Sequence, residues 1–179
     1  MSSIALVAGA AGGVEAIGPE LVKPLVERGH VVGVTLTPSA ATWLEASGLI
    51  EELERLTGLP VRSAPRLPSE ASPHPKPDVY VGAPLSASSV AKLALGIADN
   101  QALTSLCENV ATTPMVVFPR VNAAHSRQPA WSAHIAALRS VGVRLVYGED
   151  VWPLAEPRVA APNRALPWAA IIEATEAAL

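Results

Sequence analysis

Short apolar runs alternate with amphipathic segments along most of this chain, and this alternation limits the folds that are open to it. Runs typical of buried strands lie at residues 4–8, 31–36, 79–83, 115–118 and 143–147. Segments with the helical spacing of apolar residues lie between these runs and after the last one, at residues 168–179. The pattern therefore predicts an α/β fold with a mostly parallel sheet that helices cover on both faces.

Two of the predicted helices are long. Apolar residues at helical spacing predict one helix over residues 40–56 and another that follows the third strand and continues past Gly96 to Asn100. Residues 60–77, by contrast, contain six prolines and no apolar periodicity. We expect a surface loop there, with one short strand at most.

Composition limits the class of protein. The chain has 179 residues, of which 50% are hydrophobic, so we expect a single domain over residues 1–179 with a sizeable core. A net charge of -3 gives no electrostatic reason to expect nucleic acid or a membrane as a partner. No apolar run approaches the roughly 20 residues of a membrane-spanning helix. The single cysteine, Cys107, has no partner for an internal disulfide, which favours a cytoplasmic location.

Four loops follow predicted strands: residues 9–13, 37–39, 84–89 and 119–122. The carboxyl ends of parallel strands meet at one edge of a sheet, where ligands of such folds bind, so we expect these loops to gather there. The third loop is the most informative, because a strand opens there into a patch of small hydroxyl residues at a helix N-terminus. Backbone N–H groups, hydroxyls and the helix dipole together favour an anion such as a phosphate.

The first loop resembles a dinucleotide fingerprint, but its spacing departs from that motif. Glu15 stands where a further glycine is wanted after Gly9, Gly12 and Gly13. No acidic residue follows the second strand to hold a ribose. These departures disfavour NAD, although a tight turn that needs glycine is expected with either ligand.

The stretch that begins at residue 84 carries the clearest resemblance to a known family. It reads PLSASSVAKLALGIADNQAL, and it is similar to the homo-oligomeric flavin-containing cysteine decarboxylases, which share P-A/L-S-A-N-T followed by K-I-A-x-G-I-A-D-N-L-L. That family includes peptidyl-cysteine oxidative decarboxylases, phosphopantothenoylcysteine decarboxylase and flavin prenyltransferase. The resemblance implies a Rossmann-like (flavodoxin-like) three-layer sandwich, with FMN as cofactor, in a homotrimer or homododecamer.

The resemblance also implies which residues bind FMN. The segment TPSAATWL resembles the family's T-P-S-A-x-x-F, and Ser39 matches the serine that contacts FMN there. Taken alone, the Thr-Pro-Ser sequence predicts a helix N-cap at Ser39, before Ala40. Gly12 and Gly13 fall on the Ser-Ile pair of the family's first loop, so backbone N–H groups replace the hydroxyl. The predicted cofactor-binding residues are Gly9, Gly12, Gly13, Thr37, Ser39, Ser86, Ala87, Ser88, Ser89, Pro119 and Arg120.

Residues 118–131 resemble the family's P-x-M-N-x-x-M-W segment, with Pro119 and Asn122 in register. The resemblance implies that Asn122 holds the carboxylate of a substrate cysteine. The position of the family's catalytic histidine falls on Glu70, which leaves His74 and His125 as candidates for the base. No two histidines or acidic residues have the spacing of metal ligands, so we expect no metal.

The resemblance favours an oxidative decarboxylase that acts on the C-terminal cysteine of a peptide or on a related small thiol. Residues 146–157 resemble the substrate flap of phosphopantothenoylcysteine decarboxylases but lack its cysteine, as the peptide-acting members do. Two alternatives stay open. The Pro119-Arg120 pair resembles flavin prenyltransferase, and the departures at Glu70 and Ser88 are compatible with a non-catalytic flavin-binding partner.

Overall fold

The computed structural model describes residues 1–159 and 164–179. They form a five-stranded sheet in the order β2-β1-β3-β4-β5, in which all neighbouring strands are parallel. The strands are β1 (Ser3–Ala8), β2 (Val31–Leu36), β3 (Val79–Leu85), β4 (Met115–Pro119) and β5 (Arg144–Leu145). The α/β prediction with a mostly parallel sheet is confirmed.

Helices cover both faces of this sheet. They are α1 (Lys23–Glu27), α2 (Pro38–Ala46), α3 (Leu49–Thr57), α4 (Ala87–Leu95), α5 (Gln101–Asn109), α6 (Ala123–Ser126), α7 (Trp131–Ser140) and α8 (Trp168–Glu176). A 3-10 turn over Val14–Ala16 and a π-helical turn over Gly18–Val22 lead into α1. Within the described residues, none of these helices combines the length and apolar composition that crossing a bilayer requires.

Strand residues alternate between two hydrophobic cores. Leu6, Val81 and Phe118 face the core that α1, α3 and α8 cover. Val7 and Val117 face the opposite core, against α4, α5 and α7. Because successive strand side chains point to opposite faces, both layers of helices are needed to bury these apolar strands, which gives a three-layer sandwich.

Both long predicted helices were wrong, because each is interrupted at a glycine. Gly48 adopts φ +66° between α2 and α3, and Gly96 adopts φ +72° at the end of α4. A left-handed glycine ends a helix at little steric cost. Asn100 then starts α5, where its side-chain oxygen accepts a hydrogen bond from the Leu103 N–H at 3.1 Å. Apolar periodicity continued through these interruptions and so hid them.

At one edge of the sheet the last strand is shorter than predicted, and at the other edge the loop beside β2 agrees with the prediction. The predicted strand at residues 143–147 is reduced to β5, although the Val146 N–H still donates to the Val117 carbonyl at 2.9 Å. Within the proline-rich loop at residues 60–77, one bridge pairs Arg62 with Thr35 of β2. The prediction of a surface loop with one short strand at most is confirmed.

Candidate functional site

The candidate site lies beside β1, where the strand order of the sheet changes direction. The connection from β1 leads to β2 on one side, and the next strand in the chain, β3, lies on the other side of β1. A crevice therefore opens outside the carboxyl ends of β1 and β3. The Gly9 N–H donates to the Pro84 carbonyl at 2.8 Å and ties the two strand ends together. A Cβ built on Gly9 would lie 3.5 Å from the Ser86 nitrogen and 3.6 Å from Ser89 Oγ. Glycine therefore leaves the backbone of this crevice open.

The N-terminus of α4 lines the crevice with polar groups. Ser86 caps the helix, because its Oγ accepts a hydrogen bond from the Ser89 N–H at 3.2 Å. The hydroxyls of Ser86 and Ser89 also lie 3.2 Å apart, so one donates to the other. Ser89 is buried, Ala87 is half-buried and Ser88 is exposed. Free N–H groups and the helix dipole make this terminus suitable for a phosphate.

A second helix begins at the same edge, after β2. Thr37 caps α2, with its Oγ1 accepting from the Ala40 N–H at 3.4 Å, and its own N–H donates to the Ala8 carbonyl at 2.9 Å. The sequence interpretation of Ser39 as the helix cap was wrong, because Pro38 occupies the first helical position and moves the cap to Thr37. Ser39 lies exposed in the first turn.

Arg120 connects the end of β4 to the glycine loop after β1. Its backbone N–H donates to the Leu85 carbonyl at 2.8 Å, and its Nε donates to the Gly12 carbonyl at 3.2 Å. The guanidinium carbon lies 4.6 Å from the ring centroid of Trp152. Burial, with a smaller contribution from the nearby charge of Arg164, lowers the pKa of Arg120. Pro119 is buried and pairs with Leu85 across the strands.

A cavity of about 340 Å³ opens beside this arginine. Its lining includes Gly12, Gly13, Glu15, Arg164, Leu166 and Trp168. Gly13 adopts φ +95°, and a Cβ built on it would lie 2.7 Å from Leu166 Cδ1. Glycine is therefore required there by both the backbone and the packing. Arg164, Leu166 and Trp168 were missed from the sequence, because no strand-end position or motif marks them. Trp152 lies in the segment that resembles a substrate flap, but nothing in that segment singled it out.

Asn122 lies two residues beyond Arg120 and caps the short helix α6. Its Oδ1 accepts a hydrogen bond from the His125 N–H at 3.0 Å, and the His125 side chain is exposed. Ala123, the residue after Asn122, donates its N–H to the Ala155 carbonyl at 2.9 Å. Arg127 forms an ion pair with Glu156 through two hydrogen bonds. The loop after β4 is therefore docked onto the segment that resembles a substrate flap.

His74 lies elsewhere, against the middle of β2. A Cβ on Gly33 would lie 2.8 Å from His74 Cγ, and the imidazole Nε2 donates to the Pro60 carbonyl at 2.7 Å. Burial lowers the pKa of His74, which favours the neutral ring. It lines a cavity of about 270 Å³ with Arg62 and Tyr80, on the α5 side of the sheet. Within the described chain, the fold does not bring His74 to Asn122 and His125.

The predicted cofactor residues do gather at the carboxyl edge of the sheet. Gly9, Ser86 and Ser89 surround one crevice, Gly12 bonds to Arg120, and the capped start of α2 lies next to them. The polar cradle at α4 suits a phosphate, and the cavity bounded by Arg120 offers both apolar and charged walls. These residues fit FMN, and their individual contacts with it stay predictions.

Comparisons with known proteins agree with FMN as the ligand of this fold. The sequence model of the Flavoprotein family matches residues 1–178, and the chain belongs to that family. Among solved structures, the FMN-dependent cysteine decarboxylase TvaF from thioviridamide biosynthesis is 26% identical, with a TM-score of 0.68 over 85% of this chain and 94% of that one. FMN is accordingly the cofactor of this class.

Two further structures share the fold at lower identity. EpiD, complexed with the substrate peptide DSYTC, is 21% identical, with a TM-score of 0.64 over 83% of this chain and 82% of that one. A PPC decarboxylase complexed with pantothenoylaminoethenethiol is 22% identical, with a TM-score of 0.60 over 80% of each chain. No curated protein sequence matches the chain significantly.

Proposed function

We propose that this protein is an FMN-dependent oxidative decarboxylase that acts on a C-terminal cysteine, carried by a peptide or a related small thiol. One observation carries the proposal: Asn122 lies in the loop whose Arg120 bonds to the glycine loop after β1. An amide donor for a carboxylate therefore stands beside the crevice that suits FMN. The similarity to TvaF, an FMN-dependent cysteine decarboxylase, supports the same chemistry.

Asn122 has the polarity that a substrate carboxylate needs. Its Oδ1 is engaged by the His125 N–H, while in the described part of the chain its Nδ2 has no hydrogen-bond partner. The Nδ2 group can therefore donate to a carboxylate oxygen. When bound, FMN supplies a two-electron oxidation of the cysteine Cβ–S unit, which allows the adjacent carboxylate to leave as CO2 and the electron pair to remain as an enethiolate.

A base must also remove the thiol proton of the substrate. Between the two candidates, we propose His125. His74 donates its Nε2 proton to the Pro60 carbonyl, and it packs against Gly33 of β2 and lines a different cavity from Arg120. His125 presents an exposed ring three residues beyond Asn122.

A panel of peptides tests the function. We expect the purified protein to show the two-band spectrum of oxidised flavin, to release FMN on denaturation, and to remove CO2 and two hydrogens from peptides that end in cysteine, as measured by mass spectrometry. Matched peptides that end in serine should stay unchanged, because they lack the thiol that is oxidised. A colourless protein that takes up no added FMN would overturn the cofactor assignment.

The same assay separates the alternatives. Arg120 is also compatible with prenyl transfer, so dimethylallyl phosphate is offered with FMN-loaded protein in parallel. Modification of the flavin, with no change in any peptide, would favour that activity. An FMN-loaded protein that is inactive in both assays but co-purifies with a second protein would favour a non-catalytic partner subunit.

We further propose that the protein assembles into a homotrimer or homododecamer in the cytoplasm. Leu95 and Ile97, at the end of α4, are 63% and 44% exposed, and apolar surface of this kind is typical of interfaces.

We expect light scattering at micromolar concentration to give a closed oligomer. Leu95→Asp should shift the oligomer toward monomer. Val141 is 45% exposed at the end of α7, so Val141→Asp is a matched control that should leave the oligomer unchanged. A monomeric wild-type protein would contradict the proposal.

A further inference from the structure

Two arginines from distant parts of the chain meet on one indole ring. The guanidinium carbons of Arg120 and Arg164 lie 4.6 Å and 4.2 Å from the ring centroid of Trp152. Trp152 is only 7% exposed, packs edge-on against Phe118 at 5.7 Å, and donates its Nε1 proton to the Ala165 carbonyl at 3.3 Å. The ring is held from several sides, so it fixes the position of both cations.

Neither guanidinium has a carboxylate partner among the residues that the structure describes. Arg120 donates to the Gly12 carbonyl and Arg164 to the Pro153 carbonyl, and no ion pair in the described ranges includes either one. The two carbons lie at most about 9 Å apart, a separation at which charges still repel at physiological salt. The pair therefore forms a concentration of positive charge on the wall of the cavity.

Among residues 1–159 and 164–179, the acidic residues of the cavity form no ion pair with these two arginines. Glu15 and Glu20 line the same space, but neither forms an ion pair with an arginine in the described parts of the chain. The Glu15 carboxylate instead accepts a hydrogen bond from the Gly13 N–H at 3.2 Å. The guanidinium donors that face the cavity remain available to an incoming oxyanion.

We propose that Arg120 and Arg164 bind a second, non-reacting oxyanion of the substrate. Planar guanidinium groups recognise carboxylates and phosphates with paired hydrogen bonds, so the group is an acidic side chain of a peptide or a phosphate monoester on a smaller thiol. The inference rests on the proposed function, because it assumes that the reacting end of the substrate lies at Asn122. It names the chemistry of the substrate beyond its cysteine.

The reacting carboxylate itself suits this pair poorly. Loss of CO2 removes the negative charge, so two cations on that group would stabilise the bound substrate more than the transition state and slow the reaction. A neutral amide such as that of Asn122 holds the carboxylate without this penalty. The two arginines are better suited to bind an oxyanion whose charge persists through the reaction.

Binding of unreactive ligands to the FMN-loaded protein tests the proposal by calorimetry. The ligands are short peptides that end in serine and carry Asp or Asn, or phosphoserine or serine, at one of the three preceding positions, together with an N-acyl serine with and without a phosphate monoester. We expect at least one charged ligand to bind 10-fold or more tightly than its neutral match. The ligand that shows the largest preference distinguishes a peptide side chain from a phosphate ester.

Arg164→Gln supplies the decisive variant, because Arg164 is exposed and its replacement should not disturb folding. We expect it to lose most of the preference for the charged ligand and to keep its flavin absorbance. Arg139→Gln, at an exposed arginine on α7, should retain the preference. Equal binding of charged and neutral ligands by the wild type, or an unchanged preference in Arg164→Gln, would overturn the proposal. Loss of FMN from Arg164→Gln would overturn it too, because the arginine would then serve the cofactor.

Failure of this inference is distinguishable from failure of the proposed function. Decarboxylation of cysteine-ended peptides without any charge preference would leave the function in place and remove the oxyanion site. A charge preference that depends on Arg164, with no decarboxylation of the corresponding cysteine ligands, would confirm the site and reject the reaction.

Discussion

Ser86→Asp is expected to give a folded protein that no longer retains FMN. Aspartate caps helices as well as serine does, so the hydrogen bond to the Ser89 N–H and the start of α4 should persist. The new carboxylate, however, would stand where we place the FMN phosphate. Two like charges about 4 Å apart repel by about 4 kcal/mol at an effective dielectric constant of 20, and the phosphate carries more than one charge. We therefore expect FMN affinity to fall by more than about 100-fold.

Flavin absorbance of the purified variants, and titration of the FMN-free forms with FMN, measure this effect. Ser86→Ala removes the cap hydroxyl without adding charge, so it should lose about 1 kcal/mol of stability and bind FMN more weakly than wild type but better than Ser86→Asp. Ser132→Asp adds the same charge to the first turn of α7, where Ser132 is exposed and lines a different cavity, and this variant should bind FMN normally. Normal FMN binding by a folded Ser86→Asp protein would show that the phosphate lies elsewhere.

Asn122→Asp should abolish turnover while FMN stays bound. The aspartate oxygen can still accept the His125 N–H, so the start of α6 is retained. The Nδ2 donor is replaced by a carboxylate, which would face the carboxylate of the substrate. Loss of one donor and addition of like-charge repulsion should lower kcat/KM by at least about 100-fold.

Asn100→Asp provides a matched control. Asn100 caps α5 with the same geometry, its Oδ1 accepting from the Leu103 N–H at 3.1 Å, but it lies outside the proposed site. We expect its activity to remain within about threefold of wild type. Flavin absorbance is recorded on the samples used for kinetics, so that a loss of turnover is not mistaken for a loss of cofactor. Full activity of FMN-loaded Asn122→Asp would reject the role assigned to Asn122.

Several features of the site followed from local sequence signals. Strand-end loops could be identified because apolar runs and helical spacing are properties of short segments. Ser86 could be selected because it lies in a loop that follows a predicted strand, whereas Asn122 was selected through the resemblance of residues 118–131 to the family's P-x-M-N-x-x-M-W segment. The parallel sheet then determines that such loops share one edge. The fold, and the edge of the sheet where we place FMN, were therefore within reach of the sequence.

Local signals failed where two of them competed or where a partner was distant. Gly48 and Gly96 interrupt helices whose apolar periodicity continues on both sides, so spacing alone could not show the breaks. Thr37 displaced Ser39 as a helix cap because of the neighbouring proline. His74 lies in a loop without periodicity, and only its packing against Gly33 shows that it is separated from Asn122.

The sequence by itself determined the order of strands and helices, the edge where their loops meet and the hydroxyl-rich start of α4, because each depends on neighbouring residues. The tertiary structure alone decided that Arg120 reaches the glycine loop 108 residues earlier, and that Arg164 joins it on Trp152. Such contacts arise from the packing of segments that are remote along the chain. No periodicity or motif within any one segment records which distant side chain it will meet.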